Sequence, residues 1–356
     1  MRIGIPKEIK TLEGRVALVP AAAAQLVKNG HTVLIETGAG DASGYSDDDY
    51  RNAGLEIVDN AAALYGESEL IVKVKEPVEP EYDLLRSDHL LFSFLHLAAD
   101  PVLTRVLLKT GLTAIAFETI EKNHSLPLLA PMSDIAGRLS VQIGATLLHR
   151  PNGGRGILLG GMPAAERGNV VVLGAGSAGG NATQVAASLG ANVTVFARSR
   201  NSLERMHAVG DNVTALPSYA TLVEEHVREA DLLIGAALIT GARAPVLVPE
   251  SLVNQMKPGS VIIDIAVDQG GCIETTKPTT HKEPTFIKHG VIHYGVTNMP
   301  GAVPRTASQA LSASLVPYVL RLASQEGLSD PAIKSGINIQ AGEIVHPVVR
   351  EALGKL

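Results

Sequence analysis

Short aliphatic and β-branched runs alternate along the chain with longer stretches whose apolar residues recur at helical spacing. The short runs are 32–35, 70–74, 90–94, 113–117, 170–173, 193–196, 232–235 and 261–265. The helical stretches include 20–29, 101–109, 178–189 and 219–229, and Gly, Pro, Asn or Asp separates most neighbouring elements. Strands that alternate with helices form parallel sheets covered by helices on both faces. The pattern therefore predicts an α/β fold, doubly wound.

Two interruptions of this pattern predict the domain boundaries. Prolines break an apolar stretch at 125–132 before a long helical pattern at 133–149, and a second break at 298–304 precedes an apolar helical pattern at 306–323. The chain after Thr113 is too short to close the first sheet, so we expect the C-terminal helix to return to it. We expect a discontinuous domain, residues 1–128 and 305–356, with residues 129–304 inserted as a second domain.

Composition excludes several classes of protein. The 356 residues carry 30 Lys and Arg against 36 Asp and Glu, a net charge of −6 without a basic block, which argues against nucleic acid or anionic lipid as partner. No apolar run approaches the roughly 18–20 residues of a membrane span, and the N-terminus does not resemble a signal peptide. Cys272 is the only cysteine, and the histidines lack metal-ligand spacing. We expect a soluble cytoplasmic protein without a metal site.

A glycine motif indicates a dinucleotide site. Gly174, Gly176 and Gly179 form G-x-G-x-x-G after the apolar run 170–173 and before the helical stretch 178–189. In this context Gly174 permits a tight turn, Gly176 lets backbone amides approach a pyrophosphate, and Gly179 allows close helix–strand packing. The helix N-terminus supplies further N–H donors to the phosphates.

The end of the following strand bears on the choice of cofactor. Sites for NAD usually place Asp or Glu there to bind the ribose hydroxyls, whereas this chain has Ala197, Arg198, Ser199 and Arg200. Arginine and serine would bind a 2′-phosphate through charge-assisted hydrogen bonds, so we favour NADP(H). The alternative is that both arginines are solvated surface residues and that selectivity arises elsewhere.

Three residues of the first half are candidates for substrate chemistry. Arg15 follows a glycine on a loop and could clamp a carboxylate, although taken alone a surface arginine is the more common case. Lys75 lies past the strand beginning at Leu70, where ligands bind in open α/β sheets. It shares strand parity with Lys73, so a common polar face is the alternative. His96 has the same position after the strand from Leu90 and suits proton transfer, but it could equally be a hydrogen-bonded core residue.

The second half adds three polar candidates. Asp268 follows the strand 261–265 in a glycine-flanked turn and is either catalytic or a cap of that turn. Asn298 could bind a carboxamide or only form an Asx-turn. Cys272 has no basic neighbours, and we interpret it as a buried, inert thiol.

These motifs together resemble the alanine dehydrogenase family. The resemblance covers essentially the whole chain and is carried by 1–20, 70–76, 91–99, 126–139, 174–182, 261–274 and 298–305. Its most specific segments are Lys73-Val74-Lys75-Glu76-Pro77, Phe94-Leu95-His96-Leu97-Ala98, Asp268-Gln269-Gly270-Gly271 and Asn298-Met299-Pro300-Gly301. They favour the functional interpretation over the structural alternatives above.

The resemblance implies reversible oxidative deamination of L-alanine to pyruvate and ammonia. It also implies two Rossmann-like domains around a cleft, the first built from both chain ends, in a homohexamer. It puts Arg15 and Lys75 on the substrate and makes His96 and Asp268 the catalytic pair, with their division of roles open. Implied cofactor contacts are Ser133, Gly174, Gly176, Ser177, Ala178, Gly179, Ser218, Ala237, Leu238, Ile265, Ala266, Val267, Asp268, Val296, Asn298 and Met299.

One departure concerns the cofactor, and three other functions stay open. Members of the family usually carry Asp at the position of Ala197 and a basic residue at Ser202, and NAD(H) is their usual cofactor. The alternatives are an NADP-dependent dehydrogenase of a larger amino-acid or opine-type substrate, the nucleotide-binding component of a transhydrogenase, and a non-catalytic NADP sensor. A transhydrogenase component would not need Lys75 or His96.

Overall fold

The aliphatic runs form buried strands and the helical patterns form helices, arranged in two α/β units. The computed structural model describes residues 1–123, 125–237, 245–324 and 327–354. Its contacts divide the chain into Met1–Met132 with Val303–Leu356, here unit 1, and Ser133–Ala302, here unit 2. Unit 2 thus lies in sequence between the two segments of unit 1. The predicted pair of α/β units is confirmed.

Unit 1 begins with alternating strands and helices. Its strands are β1 (Arg2–Ile5), β2 (Thr32–Glu36), β3 (Glu56–Val58), β4 (Leu70–Val72), β5 (Leu90–Ser93) and β6 (Thr113–Ala116). Its helices are α1 (Pro20–Lys28), α2 (Asp47–Asn52), α3 (Ala61–Glu67) and α4 (Pro101–Thr110). Helix α5 (Ala130–Leu147) begins at the end of this segment and continues into unit 2.

Unit 2 repeats the alternation. Its strands are β7 (Asn169–Leu173), β8 (Asn192–Ala197), β9 (Val213–Pro217), β10 (Leu232–Gly235), β11 (Val261–Asp264), β12 (Thr285–Lys288) and β13 (Val291–Tyr294). Its further helices are α6 (Ser177–Ser188), α7 (Arg200–His207), α8 (Ala220–Glu229) and α9 (Glu250–Val253). The chain then completes unit 1 with α10 (Pro304–Leu322), α11 (Pro331–Gly336), β14 (Ile337–Gln340), β15 (Glu343–Ile344) and α12 (Pro347–Leu353).

Both sheets contain six parallel strands in the same order, to which unit 1 adds two strands and unit 2 adds one. Unit 1 has the order β15-β14-β6-β5-β4-β1-β2-β3, and unit 2 has β12-β13-β11-β10-β7-β8-β9. Strands β14, β15 and β12 pair antiparallel, and the other described pairs are parallel. The order therefore reverses between β1 and β4 in unit 1 and between β7 and β10 in unit 2. Ligands of such sheets bind beyond the carboxyl ends of the strands at this reversal.

The cores are aliphatic, as the scarcity of aromatic residues requires. In unit 2 the buried cluster includes Val171, Leu233 and Ile262, one from each of three adjacent strands. The sheet of unit 1 buries Ile71 and Leu91 in the same way. In the described ranges, no helix is long and apolar enough to cross a membrane.

Candidate active site

The substrate-binding candidates of unit 1 follow adjacent strands around the reversal of strand order. Arg15 lies on the loop after β1 and Lys75 follows β4, so these two strands flank the reversal. His96 follows β5, the next strand in the sheet. All three strands are parallel, and their carboxyl ends lie at the same edge of the sheet.

Arg15 is buried, contrary to the expectation for a lone arginine. Its side chain is 3% exposed and pairs with Glu13, which is 1% exposed. Nε donates to Glu13 Oε1 at 2.6 Å and Nη2 donates to Oε2 at 2.5 Å. A buried guanidinium is stable only with a charged partner of this kind. The two hydrogen bonds to Glu13 also fix the plane of the Arg15 guanidinium group. Nη1 lies 3.2 Å from the sulfur of Met132.

Helix α10 holds the loop that carries Arg15. Ser308 accepts the backbone N–H of Val16 at 2.9 Å, and Ser312 accepts that of Val19 at 2.9 Å. Both serines are buried. The predicted return of the C-terminal helix therefore has a direct consequence, because it satisfies buried backbone donors beside Arg15.

Lys75 is half-buried among charged neighbours. Burial lowers the pKa of Lys75 below its ordinary value, and the cations Arg15 and Lys10 add to this shift. Glu76 opposes it and is itself paired with Lys10. The positive charge of Arg15 thus disfavours the charged form of Lys75, and an anion bound beside Lys75 would favour it.

The alternative that Lys73 and Lys75 share a polar face is wrong. Lys73 is 1% exposed and donates to both carboxylate oxygens of Glu81, at 2.6 and 2.7 Å. Its Nζ also lies 3.8 Å from Oε2 of the buried Glu8. Strand β4 ends at Val72, before either lysine. The strand parity assumed for the two lysines therefore does not apply.

His96 is not a core residue. Its side chain is 43% exposed, and its backbone has φ 49° and ψ 36°, in the left-handed region. The N–H of His96 donates to Glu118 Oε1 at 2.6 Å. The imidazole stacks on the Phe94 ring with 5.9 Å between centroids and 4° between planes.

In unit 2 the glycine motif forms the turn between β7 and α6. Gly174 has φ 109°, and a Cβ there would lie 2.6 Å from the Ala236 carbonyl oxygen. A Cβ at Gly179 would lie 1.9 Å from the Gly174 carbonyl oxygen. Gly176 differs, because an added Cβ would meet no protein atom within 4 Å. The protein thus leaves open the space over Gly176 that a pyrophosphate needs.

The start of α6 also fits a dinucleotide. Gly176 is its N-cap, no side chain caps the helix, and no acidic residue lies in its first turn. Ser177, Ala178 and Gly179 therefore present backbone N–H groups and the positive end of the helix dipole to an anion. These residues fit the phosphates of a nicotinamide dinucleotide.

The end of β8 carries exposed arginines. Ala197 is buried, whereas Arg198 and Ser199 are exposed. Arg200 is 89% exposed and pairs with Glu204 at 2.7 Å. Ser199 caps α7 by accepting the Ser202 N–H at 3.2 Å. No carboxylate stands between Ala197 and Ser202.

The loop carrying Asp268 is folded around Asp264, a residue to which the sequence assigned no role. Asp264 is buried at the end of β11 and accepts the N–H groups of Ala266 and Cys272 at 3.0 and 2.9 Å. It also accepts the Thr276 hydroxyl at 2.9 Å. Asp268 lies in a 3-10 turn, Val267–Gln269, of this loop and is exposed. Ile265, Ala266 and Val267 precede Asp268 directly.

The remaining cofactor candidates of unit 2 include residues past three further strands. Ser218 follows β9, and its N–H donates to the Ala197 carbonyl at 3.2 Å. Ala237 follows β10, while Leu238 lies outside the described residues. The segment of Val296, Asn298 and Met299 follows β13, and the carbonyl of Asn298 pairs with His281 Nε2 at 2.8 Å. Ser133 lies on α5.

Neither a metal cluster nor a reactive thiol accompanies these residues where the structure describes them. No group of three or more His, Cys, Asp or Glu there could hold a metal ion. Cys272 is buried, and burial and the nearby Asp264 raise the pKa of its thiol far above the ordinary value. The thiol is therefore protonated at neutral pH.

Sequence reasoning missed the carboxylates that hold the candidate residues. These are Glu13 beside Arg15, Glu8 at the backbone of Lys75, Glu118 at that of His96, and Asp264 in the loop of Asp268. A usable signal was present, because each lies within a few residues of the carboxyl end of a strand, except Glu13, which lies two residues before Arg15.

Comparison with known proteins gives the family. The models "Alanine dehydrogenase/PNT, N-terminal domain" and "Alanine dehydrogenase/PNT, C-terminal domain" match residues 4–136 and 140–347. An alanine dehydrogenase of Mycolicibacterium smegmatis is 50% identical over 359 residues, 99% of this chain and 97% of that protein. A solved L-alanine dehydrogenase is 53% identical with a TM-score of 0.96, covering 99% of each chain. A transhydrogenase of Sinorhizobium meliloti is 28% identical with a TM-score of 0.85, covering 98% of this chain and 99% of that one. On these matches, this chain belongs to the alanine dehydrogenase family.

Proposed function

We propose that this chain interconverts L-alanine with pyruvate and ammonia, using a nicotinamide cofactor. The observation that carries the proposal is the position of Arg15 and Lys75 past the two strands that flank the strand-order reversal of unit 1, one strand from His96. Two cations beside a proton-transfer group suit a small 2-oxo or 2-amino acid. The high identity to alanine dehydrogenases favours alanine over a larger substrate, and does not favour a transhydrogenase component or an NADP sensor.

Arg15 and Lys75 bind different groups of the substrate. Arg15, oriented by Glu13, binds the carboxylate, because a guanidinium fork matches that group. Lys75 polarises the carbonyl oxygen of pyruvate, on which negative charge develops during addition of ammonia. The lowered pKa of Lys75 makes its proton easier to give up to that oxygen.

Proton transfer to the substrate is assigned to His96. Addition of water to the imino acid requires a base that removes a proton from the water, and an imidazole suits that step. The partial exposure of the ring leaves it accessible to a substrate. Asp268 of unit 2 is proposed as the second catalytic residue, which binds the water or ammonia.

Unit 2 binds the cofactor along the carboxyl edge of its sheet. The N–H groups at the start of α6 bind the pyrophosphate above Gly176. The segments after β9, β10, β11 and β13 bind the remainder of the molecule. A nicotinamide cofactor held there would supply the hydride acceptor for the oxidation of alanine and the hydride donor for the amination of pyruvate.

We further propose that NADP(H) is the preferred cofactor. The family uses NAD, but the end of β8 offers Arg198, Ser199 and Arg200 and no carboxylate. The ion pair of Arg200 with Glu204 is exposed and contributes about 1 kcal/mol at most. A 2′-phosphate could therefore recruit Arg200 at little cost.

Steady-state kinetics with both reduced cofactors test this preference. Replacing both Arg198 and Arg200 by Ala should raise the KM for NADPH about 10- to 100-fold, with little change for NADH. Arg228→Ala is the matched control, because Arg228 is also paired with a glutamate one helical turn away. Equal effects of the double variant on both cofactors would refute the phosphate contact.

The catalytic assignment is tested by His96→Ala. The variant should lose at least about 100-fold in kcat for pyruvate amination, while cofactor fluorescence shows unchanged binding. His31→Ala is the control. His31 comes just before β2 and therefore lies at the amino ends of the strands of the same sheet, opposite the carboxyl ends that carry His96. Wild-type turnover by His96→Ala would contradict the assignment, and loss of cofactor binding would show that His96 serves another role.

Assembly and location are proposed from the family resemblance. We expect a homohexamer, which light scattering would report as six times the chain mass. We expect the cytoplasm as its location, because a single cysteine suits a reducing compartment. A monomeric mass at micromolar concentration would contradict the homohexamer. Recovery of the protein in a secreted fraction would contradict the cytoplasmic location.

A further inference from the structure

Glu118 makes an unusual set of contacts for a residue outside the proposed catalytic group. It lies in the 3-10 turn Phe117–Thr119 that follows β6, the strand next to β5. Oε1 accepts the N–H of His96 at 2.6 Å, and both carboxylate oxygens lie 3.3 Å from the N–H of Leu95. Oε1 also lies 3.9 Å from His96 Nδ1. One carboxylate therefore contacts both the backbone and the ring of His96.

The backbone of His96 needs such a contact. A non-glycine residue in the left-handed region is strained, and His96 has φ 49°. This conformation turns the chain out of β5 into the 3-10 turn Leu97–Ala99. Hydrogen bonds to an ionised carboxylate are stronger than those between neutral groups, so the contact with Glu118 offsets this strain.

The ring of His96 is constrained from the same side. Phe94 stacks on the imidazole, and Phe94 in turn packs edge-on against Phe117 with 5.0 Å between centroids. Phe117 is fully buried and immediately precedes Glu118. The end of β6 thus contacts His96 through the carboxylate and, by way of Phe94, through the ring.

A second glutamate makes the equivalent contact at Lys75. Glu8 Oε1 accepts the N–H of Val74 at 2.5 Å and lies 3.3 Å from the N–H of Lys75. Glu8 follows β1, which adjoins β4, just as Glu118 follows β6, which adjoins β5. The two glutamates therefore flank the pair of strands that carry Lys75 and His96.

We propose that Glu118 is a positioning residue, which holds His96 in the left-handed conformation and orients its ring for proton transfer. This inference rests on the proposed function, because it presumes that His96 transfers the proton. Glu118 itself does not contact substrate in this account. Its effect is on the rate of the step that His96 performs and not on substrate or cofactor affinity.

Variants at Glu118 separate positioning from a general structural role. Glu118→Ala should lower kcat about 100-fold, because misplacement of a catalytic group by about 1 Å costs that much, with KM values for pyruvate and NADPH changed less than about 3-fold. Glu118→Gln keeps a carbonyl acceptor for the His96 N–H and should recover at least about one tenth of the wild-type kcat.

Asp47→Ala is the matched control. Asp47 accepts the N–H of Gly38 at 2.9 Å just past β2, so it makes the same kind of contact in the same sheet. Strand β2 carries none of the proposed catalytic residues. Asp47→Ala should retain the wild-type kcat even where its melting temperature falls.

A double-mutant cycle with His96 separates the positioning role of Glu118 from the catalytic role of His96. If Glu118 acts through His96, adding Glu118→Gln to His96→Ala should cause no further loss of kcat. If the losses of kcat in the two single variants added fully in the double variant, the positioning role alone would be overturned. The same would follow if Glu118→Ala kept the wild-type kcat while His96→Ala was slow. Wild-type turnover by His96→Ala would overturn the assignment of proton transfer to His96 and the positioning role together. Absence of pyruvate amination by the wild-type protein would overturn the proposed function itself. Because Glu118→Gln is nearly isosteric, the cycle also applies if Glu118→Ala does not fold.

Discussion

The buried carboxylate of Glu8 should make the stability of this protein depend on pH. Its side chain is 3% exposed, with Lys73 Nζ 3.8 Å from Oε2. Lys73 is shared, because it donates to both oxygens of Glu81. Two buried carboxylates therefore face one cation. Burial raises the pKa of Glu8 to about 7 from an ordinary 4.5, although Lys73 and the Val74 N–H partly oppose the shift.

The sign and size of the effect follow from this shift. Because the folded protein binds the Glu8 proton more tightly than the unfolded chain, its stability falls as the pH rises from about 4.5 to about 7. Each pH unit in this window corresponds to about 1.4 kcal/mol. The total is about 3 kcal/mol, reached near pH 7 and constant above it. Glu8→Gln removes the ionisation and should escape this loss.

Thermal unfolding of wild type and Glu8→Gln between about pH 4.5 and 8 measures the effect. The variant should gain about 3 kcal/mol relative to wild type across this range, or roughly 6–12 °C in melting temperature for a unit of this size.

Asp47→Asn provides the control for the pH effect. Although burial alone would raise it, hydrogen bonds from Thr37 and Gly38 hold the pKa of Asp47 below its ordinary 3.8. The stability contributed by ionised Asp47 is lost only as the pH falls through that low pKa. The difference in stability between Asp47→Asn and wild type should therefore not change above about pH 4.5. A pH-independent difference for Glu8→Gln as well would refute the account of the buried carboxylate.

Further substitutions test the dinucleotide turn and the two buried charge networks. Gly176→Val should fold normally but weaken cofactor binding at least about 10-fold, as measured by fluorescence titration. Gly179→Ala should instead lower the melting temperature, because its Cβ would lie 1.9 Å from the Gly174 carbonyl oxygen. Lys73→Met should cost about 3–5 kcal/mol in denaturant unfolding, because it leaves buried carboxylates without their cation. Asp264→Ala should cost roughly 3 kcal/mol in the same assay, because several buried N–H groups lose their acceptor. Wild-type stability in either variant would contradict the assigned network, and unchanged cofactor affinity of Gly176→Val would contradict the pyrophosphate position.

Much of the fold could be predicted because its determinants are local. The run 232–235 matches β10 in both bounds, and the run 261–265 differs from β11 by one residue. Parallel pairing then brings the carboxyl ends of the strands to one edge, which is why residues as distant as Gly174 and Asn298 can share an edge of unit 2. Strand β4 ends at Val72, two residues earlier than predicted, and Glu8 accepts the N–H of Val74 just past that end.

The details of the site depend on burial, which sequence spacing does not contain. Arg15 and Lys73 are both buried, and each is stabilised by a glutamate at a different separation along the chain. The left-handed backbone of His96 depends on Glu118, 22 residues away in another strand's turn. Only the tertiary structure brings Glu118 and His96 together.

The most direct test of the central claim is the oxidation of NADPH and NADH by the purified protein with pyruvate and ammonium, followed by absorbance. Turnover should require both pyruvate and ammonium and should proceed faster with NADPH. Faster turnover with NADH would retain the alanine dehydrogenase reaction and refute the arginine site for the 2′-phosphate. No turnover with pyruvate and either cofactor, while a larger 2-oxo acid is aminated, would contradict the account.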